Sequence, residues 1–278
     1  MKKQKIYYYS DELNDDFAGT NINRRPLPPG YEYLNKGFWR IIRRGVFYYG
    51  IIRPITFFYN KVIKRVKYVG KEKFKGYKKS GAFIYGNHTS MILDAFNPSY
   101  LAYPRPADVI VNADATSIRG MGWLIKTIGG LPIPDGFHAM SNFNAAVKEA
   151  IDKKHWVAIY PEAHIWHYYT KIRPFSAVSF AYPVKCGVPV FSYTMVYKKR
   201  KHSRYPRRVV YIDGPFVPDG SLSQKEAAKK LRNEVYSAMC ERSELSDCEY
   251  IKYVYRPKNE GANAPLNSGE ADSAEAAI

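Results

Sequence analysis

Phe83-Ile84-Tyr85-Gly86-Asn87-His88-Thr89-Ser90-Met91-Ile92-Leu93-Asp94 is the segment on which the architecture of this chain turns. A short apolar run breaks at a glycine, delivers a histidine, and sets an aspartate six positions later. The run before Gly86 has the length and composition of a buried strand, and a helix begins after the polar residues that follow. Asn87 and His88 then stand at the carboxyl end of a strand, the edge where open α/β sheets keep their chemistry. On one continuous helix, His88 and Asp94 would be separated by roughly 9 Å of rise and would face different sides. The carboxylate reaches the imidazole only if His88 sits in the turn ahead of the helix. One ring nitrogen then meets Asp94 and the other is left as a base. A plainer account fits the same residues: a polar loop histidine, and an aspartate that serves only the helix it enters.

A second strand ends in the same way at Val157-Ala158-Ile159-Tyr160-Pro161-Glu162. Pro161 closes the hydrogen-bond ladder and fixes where Glu162 emerges. Carboxyl ends of parallel strands share one edge, so Glu162 is expected to line the crevice that holds His88. Lys171 and Arg173 follow as two cations near that edge, and Gly187-Val188-Pro189-Val190-Phe191 opens another buried strand. His164 and His167 stand three apart, but Trp166, Tyr168 and Tyr169 make that stretch an aromatic loop, and no metal site is expected.

Around these motifs strand and helix signals alternate, which predicts an α/β fold: a largely parallel central sheet covered by helices, with an N-terminal amphipathic helical appendage. Strands are expected at 66–69, 82–85, 108–111, 131–133, 156–160, 190–196 and 209–212. Helices are expected over 141–152, with Ser141 as its cap, over 176–186 ending at Gly187, and from Ser223, where Glu226 completes a capping box. Four regions follow. Residues 1–30 are polar and read as a flexible arm. Residues 31–65 form an amphipathic membrane-associating segment, 66–256 the α/β domain, and 257–278, poor in bulky apolar residues, a disordered tail.

The 278 residues carry 43 Lys and Arg against 25 Asp and Glu, a net charge of +18, with 25 tyrosines. Such a chain is drawn to a polyanion, a nucleic acid or an anionic membrane surface. The densest basic and aromatic segment, Phe38-Trp39-Arg40-Ile41-Ile42-Arg43-Arg44 through Phe57-Phe58-Tyr59, is also rich in isoleucine. That mixture favours lipid contact over base stacking, and no nucleic-acid partner is expected. No apolar run in it approaches the roughly 20 residues needed to cross a bilayer, and Pro54 is expected to divide it into two helices. Cys186, Cys240 and Cys248 show neither paired metal spacing nor a disulfide framework, and Met1–Lys5 lead into no apolar signal core. A reducing, cytoplasmic setting at the face of a membrane fits.

In this order the motifs resemble those of the glycerolipid acyltransferases, the family that includes 1-acyl-glycerol-3-phosphate acyltransferase. The resemblance spans roughly residues 81–213 and rests on four blocks. Asn87-His88 through Asp94 resembles the family's histidine and aspartate pair, with five residues between the two instead of four. Gly130-Leu131-Pro132-Ile133-Pro134 resembles a block that in the family carries an arginine, where Pro134-Asp135 stand here. Tyr160-Pro161-Glu162 matches an aromatic-Pro-Glu motif, followed by Ala163-His164-Ile165 in place of Gly-Thr-Arg. Val188-Pro189-Val190-Phe191 matches a structural block.

The resemblance implies direct acyl transfer from acyl-CoA or acyl-carrier protein to the hydroxyl of a lysophospholipid, without a cofactor. His88 would act as base, oriented by Asp94, with main-chain N–H groups near the turn facing the oxyanion. Asn87 and Glu162 would help hold the acceptor, and Lys171 and Arg173 would meet its acidic headgroup. No Gly-x-Ser-x-Gly elbow supports a serine nucleophile, although Ser90 is close to His88. A family member that binds lipid without catalysis, and a basic aromatic nucleic-acid binder, are the alternatives.

Overall fold

The computed structural model describes residues 4–18, 26–28, 30–34, 37–117 and 121–257. The expected tail lies outside the described residues from position 258 onward, as does part of the expected arm. The strands are β1 (Lys5–Tyr9), β2 (Lys67–Val69), β3 (Ala82–Gly86), β4 (Ala107–Val111), β5 (Gly130–Pro132), β6 (Trp156–Ile159), β7 (Val190–Arg200), β8 (Ser203–Phe216) and β9 (Ile251–Tyr255). The helices are α1 (Phe38–Phe47), α2 (Arg53–Phe58), α3 (Met91–Leu101), α4 (Asp114–Ser117), α5 (Met121–Ile128), α6 (Phe137–Asp152), α7 (Ala181–Cys186) and α8 (Gln224–Ser243).

The central sheet runs in the order β2-β8-β7-β3-β6-β4-β5. All its pairings are parallel except β7 with β8, which form a long antiparallel hairpin. β3 is buried along its whole length, and its side chains alternate between two cores. Phe83 and Tyr85 join a cluster with residues of α6 and α8, while Ala82 and Ile84 join one with Phe74 and Leu93. β6 divides likewise, with Val157 and Ile159 on the first side and Trp156 and Ala158 on the second. Burial on both faces explains why these strands read as continuous apolar runs. α8 starts at the expected capping box, where Ser223 and Glu226 satisfy each other's main-chain N–H groups. Such a cap contributes about 1 kcal/mol. α6 begins earlier than expected: the turn at Gly136, with φ 88, launches it at Phe137, and Ser141 lies inside the helix rather than at its cap.

Pro54 does not divide the N-terminal helical segment. α1, a π-helical turn over Tyr48–Ile52, α2 and a second π-helical turn over Tyr59–Ile63 follow one another with helical backbone at every junction. The Arg53 N–H reaches back to the Tyr48 carbonyl, and this wider turn makes room for the proline ring that would clash with a regular one. The resulting rod lies along α3. Arg53 donates to the Ser99 carbonyl at 2.8 Å, and Tyr59 packs edge-on against Phe96.

At the base of the sheet, Arg44 on the rod and His155 ahead of β6 each meet a different oxygen of Asp108 at 2.5 Å. Burial works to raise the Asp108 carboxyl, but the Arg44 guanidinium and the hydrogen bonds from His155 and Arg44 outweigh it and hold the group below its ordinary range. The rod is thus tied to the sheet by ion pairing, while its outer face leaves Phe38, Trp39, Val46, Phe57 and Phe58 largely exposed. No helix among the described residues is long and apolar enough to cross a membrane.

Residues 4–18 are not a loose arm. β1 pairs in parallel with β9, Lys5 opposite Ile251 through Tyr9 opposite Tyr255, as a separate two-stranded sheet. Tyr7, Phe17, Trp166 and Tyr253 pack together by stacked and edge contacts. Five tyrosines stand in the two strands, good strand formers that pair with a segment at the far end of the chain.

Candidate active site

β3 ends at Gly86, and the next residue secures the turn. Asn87 is buried, its amide donating to the Met195 carbonyl at 3.0 Å and its oxygen accepting from the Met195 N–H at 2.8 Å. One side chain thus replaces two ladder bonds where the chain leaves the sheet, and Asn87 does not face a ligand. Beyond it, His88 precedes the helix and Asp94 lies in the first turn of α3. His88 Nδ1 is 2.8 Å from Asp94 Oδ2, and the same oxygen accepts the Ser90 N–H at 2.9 Å. Burial pushes the Asp94 carboxyl up from its ordinary range, opposed by these hydrogen bonds. Because the Ser90 N–H can only donate, Oδ2 is an acceptor. The imidazole therefore carries its proton on Nδ1 and presents Nε2 as the base.

The His88 side chain keeps 17% exposure, against 1% for Asp94. Its ring stacks on Tyr160 with centroids 4.4 Å apart and planes 20° from parallel. The Tyr160 hydroxyl donates to the Asp94 carbonyl, and Tyr193 donates to Tyr160. Burial drives both phenols far above their ordinary range, so they stay neutral donors.

Glu162 lies on the same edge and is buried. Its Oε2 accepts the His88 N–H at 3.2 Å and its Oε1 the Arg173 N–H at 3.1 Å. Burial pushes its carboxyl up, offset by the Arg173 guanidinium 3.6 Å away. Arg173 is buried too, over the Trp166 ring, so the guanidinium expected to meet a headgroup instead faces the interior. Lys171 stays exposed. The structure therefore joins His88, Asp94, Glu162 and Arg173 into one cluster, places Asn87 beneath it and leaves Lys171 in solvent. The N–H groups of His88 and Ser90 are committed to carboxylates, so neither of them is available to an oxyanion. A cavity of about 320 Å³ between the rod and the base of the sheet, lined by Tyr48, Tyr49 and His155, lies at the opposite end of the strands.

Sequence reasoning missed Tyr160 and Tyr193 as supports of the ring. The signal was Gly86, the one small residue in an otherwise bulky run, since glycine within a strand marks a close approach. A Cβ at Gly86 would stand 2.6 Å from the Tyr193 hydroxyl and overlap its ring. Gly86→Ala is accordingly expected to destabilise the fold by about 1–3 kcal/mol through overpacking. Gly45→Ala, where a Cβ meets open space on α1, is expected to be neutral or slightly stabilising. Denaturation midpoints of the two variants check this contrast.

Residues 65–196 match the family model described as Acyltransferase. No curated protein matches the chain. Among solved structures it is similar to the crystal structure of the 1-acyl-sn-glycerophosphate (LPA) acyltransferase PlsC from Thermotoga maritima, at 18% identity and a TM-score of 0.54. That match covers 76% of this chain and 89% of the other. The matched segment, Arg65 to Val196, includes the histidine turn, the Glu162 loop and the strands that carry them, and over this stretch the chain matches an acyltransferase domain.

Proposed function

We propose that this protein moves a fatty acyl group from a thioester donor, acyl-CoA or acyl-carrier protein, to the hydroxyl of a lysophospholipid at the cytoplasmic face of a membrane. The observation that carries the reading is the 2.8 Å contact from His88 Nδ1 to a buried Asp94, inside an acyltransferase domain. His88 Nε2 takes the proton from the acceptor hydroxyl as that oxygen attacks the thioester carbonyl carbon. Collapse of the tetrahedral adduct breaks the carbon–sulfur bond, and the imidazolium returns its proton to the departing thiolate. The products are an ester and a free thiol, with no covalent enzyme intermediate. Lys171 is the exposed cation beside this edge suited to an anionic headgroup.

The surface around the edge supports a membrane setting. β2 runs opposite to β3, so the end of the rod that carries Lys61, Lys64 and Arg65 arrives on the side where His88 stands. The β7–β8 hairpin projects past β3 on that side with Lys199, Arg200, Lys201, Arg204 and Arg207 exposed. Cations beside exposed aromatic and aliphatic side chains suit an anionic bilayer, where each contributes about 1 kcal/mol.

The test offers one isotope-labelled acyl-CoA with a panel of lysophospholipids and identifies products by mass spectrometry. Label in one diacyl product supports the reading, and thioester hydrolysis alone or no thiol release overturns it. Flotation with phosphatidylglycerol vesicles, set against oligonucleotide binding at the same salt, tests the surface. Stronger binding to the oligonucleotide would overturn the membrane assignment.

A further inference from the structure

We propose that the N-terminal segment, residues 12–18, is a positioning element for His88, acting through the loop from Glu162 to Arg173. This rests on the assignment of His88 as the base. Both main-chain polar groups of His88 end on that loop: its N–H goes to Glu162 Oε2 at 3.2 Å, and its carbonyl accepts the Trp166 N–H at 3.1 Å. The Thr89 carbonyl accepts from Tyr168 at 3.0 Å. The loop therefore sets where the imidazole stands.

The loop is in turn held by the N-terminal segment. Phe17 donates its N–H to the Ile165 carbonyl at 3.1 Å, and the Ile165 N–H goes to Asp16 Oδ1 at 3.3 Å. The Trp166 indole donates to the Asp15 carbonyl at 2.8 Å. Arg173 pins the two together, donating to the Glu12 carbonyl at 3.3 Å and to the His164 carbonyl while its charge faces Glu162. The Trp166 ring is enclosed by Tyr9, Phe17, Tyr253 and the Arg173 guanidinium, with ring centroids 4.8–5.2 Å apart.

The loop needs this support because its backbone is strained. Ala163 and Tyr168 hold φ of 64 and 58, left-handed values that are strained for a residue with a side chain. Such conformations persist only where the surroundings over-determine them. Loss of the N-terminal contacts lets the loop relax, and both main-chain anchors of His88 move with it. The imidazole then departs from the geometry proton transfer needs, and a misplacement of about 1 Å lowers a rate by about a hundredfold.

The test uses the full chain carrying Asp16→Ala with Phe17→Ala, assayed with palmitoyl-CoA and 1-oleoyl-lysophosphatidate in detergent micelles. The turnover number is expected to fall about tenfold to a hundredfold with both Michaelis constants changed less than about twofold, the signature of lost orientation rather than lost binding. Hydrogen exchange of the peptide containing His88 is expected to quicken in the same variant. Unchanged exchange, or quicker exchange with unchanged turnover, overturns the proposal. Arg173→Lys, which keeps the charge beside Glu162 but drops the forked contacts, is expected to show the same pattern more weakly and serves if the double variant does not fold. A His88→Ala chain that still transfers acyl groups normally would overturn the base assignment and this proposal with it. A dead His88→Ala chain beside an undiminished Asp16→Ala, Phe17→Ala chain overturns this proposal alone.

Discussion

Replacing His88 by alanine is expected to cut the turnover number about 10²–10⁴-fold, the usual contribution of a positioned general base. The acceptor hydroxyl is a poor nucleophile at neutral pH, and Nε2 is the group the geometry presents to receive its proton. The fold should survive. The side chain is partly exposed, Asp94 Oδ2 keeps the Ser90 N–H, and the main-chain bonds of His88 to Glu162 and Trp166 do not involve the ring. The Michaelis constant for the donor should change little, because the imidazole is proposed to take the acceptor's proton and not to hold the donor. Thiol release from acyl-CoA in the presence of a lysolipid measures the effect. The residual rate of the variant should climb with pH, as hydroxide takes over the proton. An alanine variant with undiminished thiol release would end the base assignment.

Much of the sheet was legible because its information is local. β3 and β6 are buried on both faces, so each appears as an unbroken apolar run closed by glycine or proline, and parallel pairing carries Glu162 to the edge of His88. The contact from His88 to Asp94 was legible for a similar reason. A six-residue separation that fails on a helix succeeds only when the first residue lies in the turn. β1 and β9 were not legible, because Lys5–Tyr9 and Ile251–Tyr255 pair as strands with each other across almost the whole length of the chain. Nothing near either strand in sequence announces the other. Pro54 misled for the opposite reason: a local rule against proline in helices was met by a wider turn that the rule does not consider.

The polar residues of the site show where sequence reasoning stops. Asn87, Glu162 and Arg173 were all expected at the edge that carries His88, yet sequence order says nothing about which way a polar side chain turns. Asn87 turns beneath the site to bond β7, and Arg173 turns inward because Glu162 is there to compensate its charge. A buried arginine needs such a partner, and the partner became visible only when Trp166 and the N-terminal segment closed over both. Lys171, two residues earlier with no such enclosure, stays in solvent.

Asp94→Asn separates orientation from charge. Oδ2 accepts from both His88 Nδ1 and the Ser90 N–H, whereas Oδ1 is buried with no hydrogen-bond partner among the described residues. An asparagine can put its oxygen at the Oδ2 position and keep both bonds. Its NH₂ then occupies the Oδ1 position without an acceptor, at a cost of about 1–3 kcal/mol. The flipped amide would oppose the Ser90 N–H with a second donor and force the imidazole proton onto Nε2, which removes the base. The first arrangement is expected to dominate, because two donor bonds are kept for one buried amine lost. Nitrogen-15 spectra should then show the proton still on Nδ1. Turnover should nevertheless fall about 10²–10⁴-fold, since the imidazolium formed during proton transfer has lost its buried counter-charge. A spectrum showing the proton on Nε2 would assign the loss to the wrong tautomer instead. Unchanged turnover with the Nδ1 proton in place would mean that the carboxylate charge contributes nothing, and that Asp94 serves only to hold the ring.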